Sequence, residues 1–167
     1  AENKQLSKAF AEALNCDPVS AFGGIIGLNA KVDEATAKAI LKSGFMECVI
    51  APAFAAPAFK LLSKKKNLRL IEFDFSSLKE DSYDFKKVYG GLLLQDRDSR
   101  DLKASELKVV TKKKPTKAQM DAMVFGLKVI KNIKSNAVIV VQGKKTVGIG
   151  CGQTSRVDSA MTAFRKA

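Results

Sequence analysis

The chain contains no histidine. This excludes a histidine-based catalytic triad or a histidine-ligated metal within it, and it removes the usual general acid or base near neutral pH. Cysteine is scarce. Cys16, Cys48 and Cys151 are far apart, odd in number and never in a CxxC pair. They read as reduced, mostly buried thiols rather than a disulfide framework or a zinc site. No apolar run reaches the roughly 18 to 20 residues of a membrane helix. The longest, Cys48 to Phe59, is broken by Pro52 and Pro57. The opening AENKQLSKAF lacks a signal-peptide core, so a cytoplasmic location is expected. Repeats and low-complexity segments are missing as well.

What remains is the composition of a packed globule. Of 167 residues, 46% are hydrophobic and 28% charged, which fits one ordinary domain. The net charge of +12 comes mostly from lysine, in runs such as Lys64–Lys66 and Lys112–Lys114. A basic balance raises the question of nucleic acid. Neither run has interleaved aromatics, which base-stacking surfaces normally pair with cations. An anionic small ligand, or a lysine-rich proteome, explains the charge as well. A basic nucleic-acid-binding module and a non-catalytic ligand-binding domain stand as the alternative functions.

Along the chain the apolar period alternates between helix and strand. Gln5 to Leu14 predicts an amphipathic helix with Leu6, Phe10, Ala13 and Leu14 on one face. Gly24 to Leu28 predicts a buried strand. Asp33 can cap a helix to about Lys42, and Gly44 suits its stop. Cys48 to Ile50 predicts a strand, Pro57 to Lys65 a helix with proline in its first turn, and Leu68 to Phe73 another strand. Asp74 to Lys87 reads as a surface loop. Val88 to Gln95 and Glu106 to Thr111 read as strands around the charged turn DRDSRDLK. Thr116 and Gln119 have capping-box spacing and open the strongest helix, to about Ile133, with Met120, Met123, Val124, Leu127 and Ile130 on its apolar face. Ala137 to Val141 and Thr146 to Ile149 predict a hairpin across QGKK. Ser155 opens a last helix. The alternation predicts a layered α/β fold, and the hairpin favours a mixed sheet.

Four segments can carry chemistry. DPVSAFGGIIGLN sets two glycines directly before a strand, where a ligand can approach backbone amides, and Phe22 adds a flat apolar face. The same residues equally make a tight turn with Phe22 in the core. TVGIGCGQTSRVDSA runs strand, glycine-rich turn, helix. Gly148, Gly150 and Gly152 alternate, and Arg156 stands in the first helical turn. A cation is disfavoured there by roughly 0.3–1 kcal/mol, and a bound phosphate or carboxylate would reverse that sign. The alternative is a glycine-rich turn with a solvated arginine. Asn136, in KSNAVIVV, either caps the preceding helix or hydrogen-bonds a ligand amide. Glu47, at the start of an apolar strand, needs partners: a lysine, or the amines of a ligand.

Taken together, DPVSAFGGIIGLN, the acidic residue before VIAP, VYGGLLLQDRD, LKVVTKKKPT, the helix into KSNAVIVV, and VGIGCGQTSRVDSA resemble, in this order, the transformylase domain of the AICAR transformylase/IMP cyclohydrolase family. The resemblance covers nearly the whole chain. It implies a three-layer α/β/α fold with a mixed sheet, similar to cytidine deaminase. It implies transfer of a formyl group from 10-formyltetrahydrofolate to the 5-amino group of AICAR, without a metal, in de novo purine (IMP) biosynthesis. It also implies a homodimer. The zinc-ligating His and PCxxC of true deaminases are absent, so deamination is not expected.

The resemblance further implies roles for single residues. Phe22 and Gly23 would lie against the nucleotide base and the folate pocket, and Glu47 would contact the nucleotide. Asn136 would reach the nucleotide from the partner subunit, Arg156 would contact it, and Val157 would border the folate. Gly150, Gly152, Gln153 and Ser155 would shape the turn. The family's Lys-His pair, in a KHxNPCG motif, and its SSDAFFPFRD segment occur nowhere in this chain. Residues 1–167 are therefore expected to be part of a transformylase domain, without the cyclohydrolase domain, and to hold no catalytic residue. Loss of general acid/base help typically costs about 10²–10⁴-fold.

Overall fold

The computed structural model describes residues 1–78 and 82–167. Its first half is a parallel sheet with helical crossovers. Strands β1 (Gly24–Gly27), β2 (Met46–Ala51) and β3 (Arg69–Glu72) pair in that order, with Ile26 opposite Val49 and Val49 opposite Leu70. Parallel neighbours need crossover connections. Here these are α2 (Glu34–Lys42) and α3 (Ala56–Leu62), and α1 (Leu6–Leu14) packs beside α2. Asp33 caps α2 by accepting from the Thr36 N–H at 2.7 Å, and Gly44 follows that helix at φ +98°, as the sequence predicts.

One face of this sheet makes the core. Ile26, Val49 and Ala51 meet Phe10 of α1, Ala37 and Ile40 of α2, and Ala58 and Leu62 of α3. Leu6 and Leu14 pack against that core, whereas Ala13, expected on the same helix face, is exposed. On the opposite sheet face Cys48 is buried, whereas Ile25 and Ile71 are exposed.

The second half is built on hairpins. β4 (Tyr83–Val88) and β5 (Gly91–Asp96) pair around Tyr89 and Gly90, with Phe85 opposite Leu94. The polar loop expected over Asp74 to Lys87 therefore gives way to a strand in its last part; its residues 79–81 lie outside the described residues. Lysines at 86 and 87 hide the strand pattern because both faces of this ribbon are solvated. Glu106 to Thr111, expected as a strand, is a short 3-10 turn at Ala104–Glu106 followed by irregular chain. It carries Val109 and Val110 but finds no partner strand among the described residues.

Helix α4 (Lys117–Ile130) starts at the expected capping box: Thr116 Oγ1 accepts from Gln119 N–H at 3.2 Å, and Gln119 Oε1 accepts from Thr116 N–H at 2.9 Å. Its buried residue is Gly126, while Met123 is exposed. At this position α4 rests on the side chains of Ile139 and Val141. Those belong to β6 (Val138–Gln142), which pairs with β7 (Lys145–Gly150) in the predicted hairpin. Helix α5 (Arg156–Lys166) covers the other face.

That contact is extreme. A Cβ at Gly148 would stand 2.0 Å from the Ala163 carbonyl oxygen, and one at Gly150 would stand 2.0 Å from that of Ser159. Only glycine permits this approach.

The chain is thus α/β, with parallel and antiparallel pairing. The expected single mixed sheet is not formed: the described strands lie in three separate sheets. A two-residue turn makes hairpin pairing local, so the sequence signal for β6–β7 carried no information about which sheet the hairpin joins. No described helix is long and apolar enough to cross a membrane.

The two halves meet where Lys166, in the last turn of α5, pairs with Asp17, and where Lys144 in the β6–β7 turn pairs with Glu2. The Lys166 ammonium, with hydrogen bonds from Ser20, holds the Asp17 carboxyl down at about 2, against its ordinary 3.8.

Two outcomes follow from this packing. Gly150→Ala forces backbone apart from backbone and should lower the unfolding free energy by about 2–3 kcal/mol in urea titrations; an unchanged midpoint contradicts the contact. Asp17→Asn should cost on the order of 1 kcal/mol at pH 7, because the pair is partly solvated. The folded carboxyl titrates below the unfolded one, so its contribution is complete above about pH 4 and disappears as pH falls toward 2. Melting curves of the variant and the native chain should therefore converge across that window.

Candidate functional site

The residues singled out by sequence fall into two groups. The first surrounds the start of β1 and β2. Gly23 sits at φ +70°, and its N–H donates to the Phe45 carbonyl at 2.9 Å. A Cβ at Gly24 would stand 2.8 Å from the Ala21 carbonyl oxygen, so the turn needs its second glycine as well. This tight turn throws Phe22 outward: it is 74% exposed, not core, and it meets the Phe45 ring with centroids 5.6 Å apart.

Glu47 follows Met46 on β2. Parallel register sets Cys48 beside Arg69, and the Arg69 Nη1 donates to Glu47 Oε2 at 2.5 Å. The expected lysine partner is therefore an arginine. Phe45, Glu47, Lys66, Asn67 and Arg69 line an open cleft of about 300 Å³. It combines an aromatic wall, one carboxylate and two cations, a set that suits a flat polar ligand.

The second group gathers at the N-terminus of α5. Ser155 Oγ accepts from the N–H groups of Val157 and Asp158, at 3.1 and 3.4 Å. Two of the free helix amides are thereby used, and Asp158 supplies the negative charge that the helix end favours. An anion here would be held by the Arg156 guanidinium more than by backbone amides. Arg156 is exposed and has no hydrogen bond or ion pair among the described residues. Val157 beside it is 66% exposed.

Asn136 belongs to this group. Lys131, not Asn136, ends α4. The Asn136 side-chain amide donates to the carbonyls of Gln153 and Thr154, at 3.2 and 2.9 Å, and its backbone N–H also donates to Gln153. The donors of that side chain are therefore committed to the turn, and Oδ1 is the atom left to meet a ligand. Gly152, at φ +67°, donates its N–H to Lys134 and gives this turn its bend. Gly150 has a different role from the one expected. It ends β7 and admits α5 rather than shaping the turn.

Ser159 was not visible from sequence. It is fully buried, and its Oγ donates to the Asn136 carbonyl at 2.7 Å. Phe45 and Arg69 were missed too. Arg69 could have been found only by aligning β3 beside β2, since nothing local marks it.

Among the described residues no hydrogen bond, ion pair or ring contact joins the first group to the second. Their elements touch at Asp17 and Lys166, but Arg156 lies at the other end of α5, about 15 Å along the axis at 1.5 Å per residue. No group of three Cys, Asp or Glu residues that could hold a metal ion occurs among the described residues.

Comparison with known proteins converges on one family. The family profile described as AICARFT/IMPCHase bienzyme matches residues 1–166. The chain is similar to the bifunctional purine biosynthesis protein PurH of Persephonella marina, 49% identical over 161 residues, covering 96% of this chain and 31% of the relative. It is 47% identical over 158 residues to PurH of Acetivibrio thermocellus, covering 93% and 30%. It is 44% identical over 162 residues to PurH of Lysinibacillus sphaericus, covering 97% and 32%. The chain thus spans just under a third of the length of these relatives, and it belongs to the AICARFT/IMPCHase bienzyme family.

Proposed function

We propose that residues 1–167 are part of a transformylase domain that transfers a formyl group from 10-formyltetrahydrofolate to AICAR in de novo purine biosynthesis. The parent protein would be a homodimer that also carries IMP cyclohydrolase activity. The observation that carries this reading is an exposed Arg156 guanidinium in the first turn of α5, with Asn136 bonded through its amide to the turn just before that helix and its Oδ1 uncommitted. One is a cation for a phosphorylated ribonucleotide; the other accepts from its amine or carboxamide N–H.

In the reaction the 5-amino nitrogen attacks the formyl carbon, the bond from that carbon to N10 of the folate breaks, N10 takes up a proton and the amine loses one. The residues of this chain bind and orient; they include no histidine to move those protons. Phe22 and Gly23, with Glu47, would border the nucleotide base and folate, and Val157 the folate. Holding the amine against the formyl group is itself a large contribution to rate.

Two features favour a site completed by a second subunit and by further chain. The two residue groups do not meet within one chain. Large apolar surfaces also stand open: Val157, Met161 and Phe164 along α5, Ile25 and Ile71 on the parallel sheet, and Phe85, Leu92 and Leu94 on the β4–β5 ribbon. Patches of this kind mark contact surfaces. The three-layer, deaminase-like arrangement is supported locally by the β6–β7 hairpin, which lies between α4 and α5.

The isolated chain should show negligible formyltransferase activity in a folate-dependent assay, and turnover comparable to an intact enzyme contradicts the reading. In the full-length enzyme, Arg156→Ala should weaken AICAR binding about 10- to 100-fold, the value of one charge-assisted hydrogen bond. Unchanged affinity in calorimetry removes Arg156 from the site.

A further inference from the structure

Ser159 is a buried hydroxyl that takes no part in capping α5. Ser155 already caps the helix, and the close contact with β7 is made by the Ser159 backbone carbonyl, not its side chain. The hydroxyl has one partner, the Asn136 carbonyl oxygen, 2.7 Å away and 23 positions earlier in the sequence. The position of Ser159 is itself fixed, because its backbone rests where a Gly150 side chain would begin. Asn136, by contrast, is in a loop between α4 and β6, and its other bonds run to the Gln153–Thr154 turn, which is exposed. Among the described residues, only the Ser159 hydrogen bond ties Asn136 to a helix.

We propose that Ser159 is a positioning residue for the nucleotide site: its hydroxyl fixes the Asn136 backbone relative to the first turn of α5, and so sets the separation between the Asn136 Oδ1 and the Arg156 guanidinium. This rests on the assignment of Asn136 to the nucleotide site. The hydroxyl acts at one remove. It touches no ligand, and its removal lets the Asn136 loop shift while α5 stays seated on β7. The consequence is selective. Nucleotide binding depends on both Asn136 and Arg156, whereas Val157, borne by α5 alone, keeps its place.

The test is a double-variant cycle in the full-length dimeric enzyme, reading AICAR and folate dissociation constants. Asn136→Ala should weaken AICAR about tenfold or more. Ser159→Ala should weaken it about fivefold, on the order of one buried hydrogen bond, with folate affinity within twofold of the native enzyme. Ser159→Cys, which fills the space with a weaker donor, should fall between. The decisive quantity is the combination: Ser159→Ala added to Asn136→Ala should cost nothing more. Additive losses, equal weakening of folate and nucleotide, or native AICAR affinity in Ser159→Ala with a defective Asn136→Ala each overturn the positioning role alone. Native affinity in Asn136→Ala overturns the assignment of Asn136, and the positioning role with it.

Discussion

Helix α5 lies so close to strand β7 that its Ser159 and Ala163 carbonyls take the space where side chains at positions 150 and 148 would start. The unit of α4, β6, β7 and α5 is arranged around this approach. It lets the helix cover one face of the β6–β7 hairpin while α4, through Gly126, covers the other. It fixes where the N-terminal turn of α5 emerges, and with it Arg156 and Val157. The C-terminal turn of the same helix brings Lys166 to Asp17, so one rigid element connects the glycine-rich turn to the loop that precedes Phe22 and Gly23.

Glycine serves three physical ends here. At 148 and 150 it removes volume, so that helix and strand backbones come together. At 23 and 152 it supplies the left-handed backbone that turns the chain at each residue group. At 24 it relieves contact with the Ala21 carbonyl. The alternating run in VGIGCG therefore divides its labour. Its first two glycines belong to packing, and the third belongs to the turn that Asn136 embraces. An anion-cradle reading of the whole run assigns too much to ligand binding, because Ser155 has already claimed two of the helix amides.

Two separate groups of proposed site residues, and exposed apolar surfaces on α5, the parallel sheet and the β4–β5 ribbon, make physical sense in a chain that spans just under a third of its relatives. A nucleotide carrying a phosphate at one end and an amine and carboxamide at the other needs a cation, an acceptor and a flat wall. In the proposed reading Arg156, Asn136 and Phe22 would supply them. The charge of +12 is compatible with anionic ligands but does not identify them.

The sequence by itself determined most of the elements, because their signals are local. Asp33, Thr116, Gln119 and Ser155 cap helices where their side chains reach two or three residues along the chain. Six ordered motifs were enough for the family. The strand over Tyr83–Val88 escaped, because the alternation of Tyr83 and Phe85 with Asp84 and Lys86 breaks at Lys87 and the ribbon is solvated on both faces. Tertiary structure alone decided the rest. Arg69 reaches Glu47 only because β3 lies beside β2; Ser159 reaches Asn136 only because α5 crosses β7. Each of these is a contact between residues distant in sequence, set by packing and register, and neither leaves a local pattern to be read.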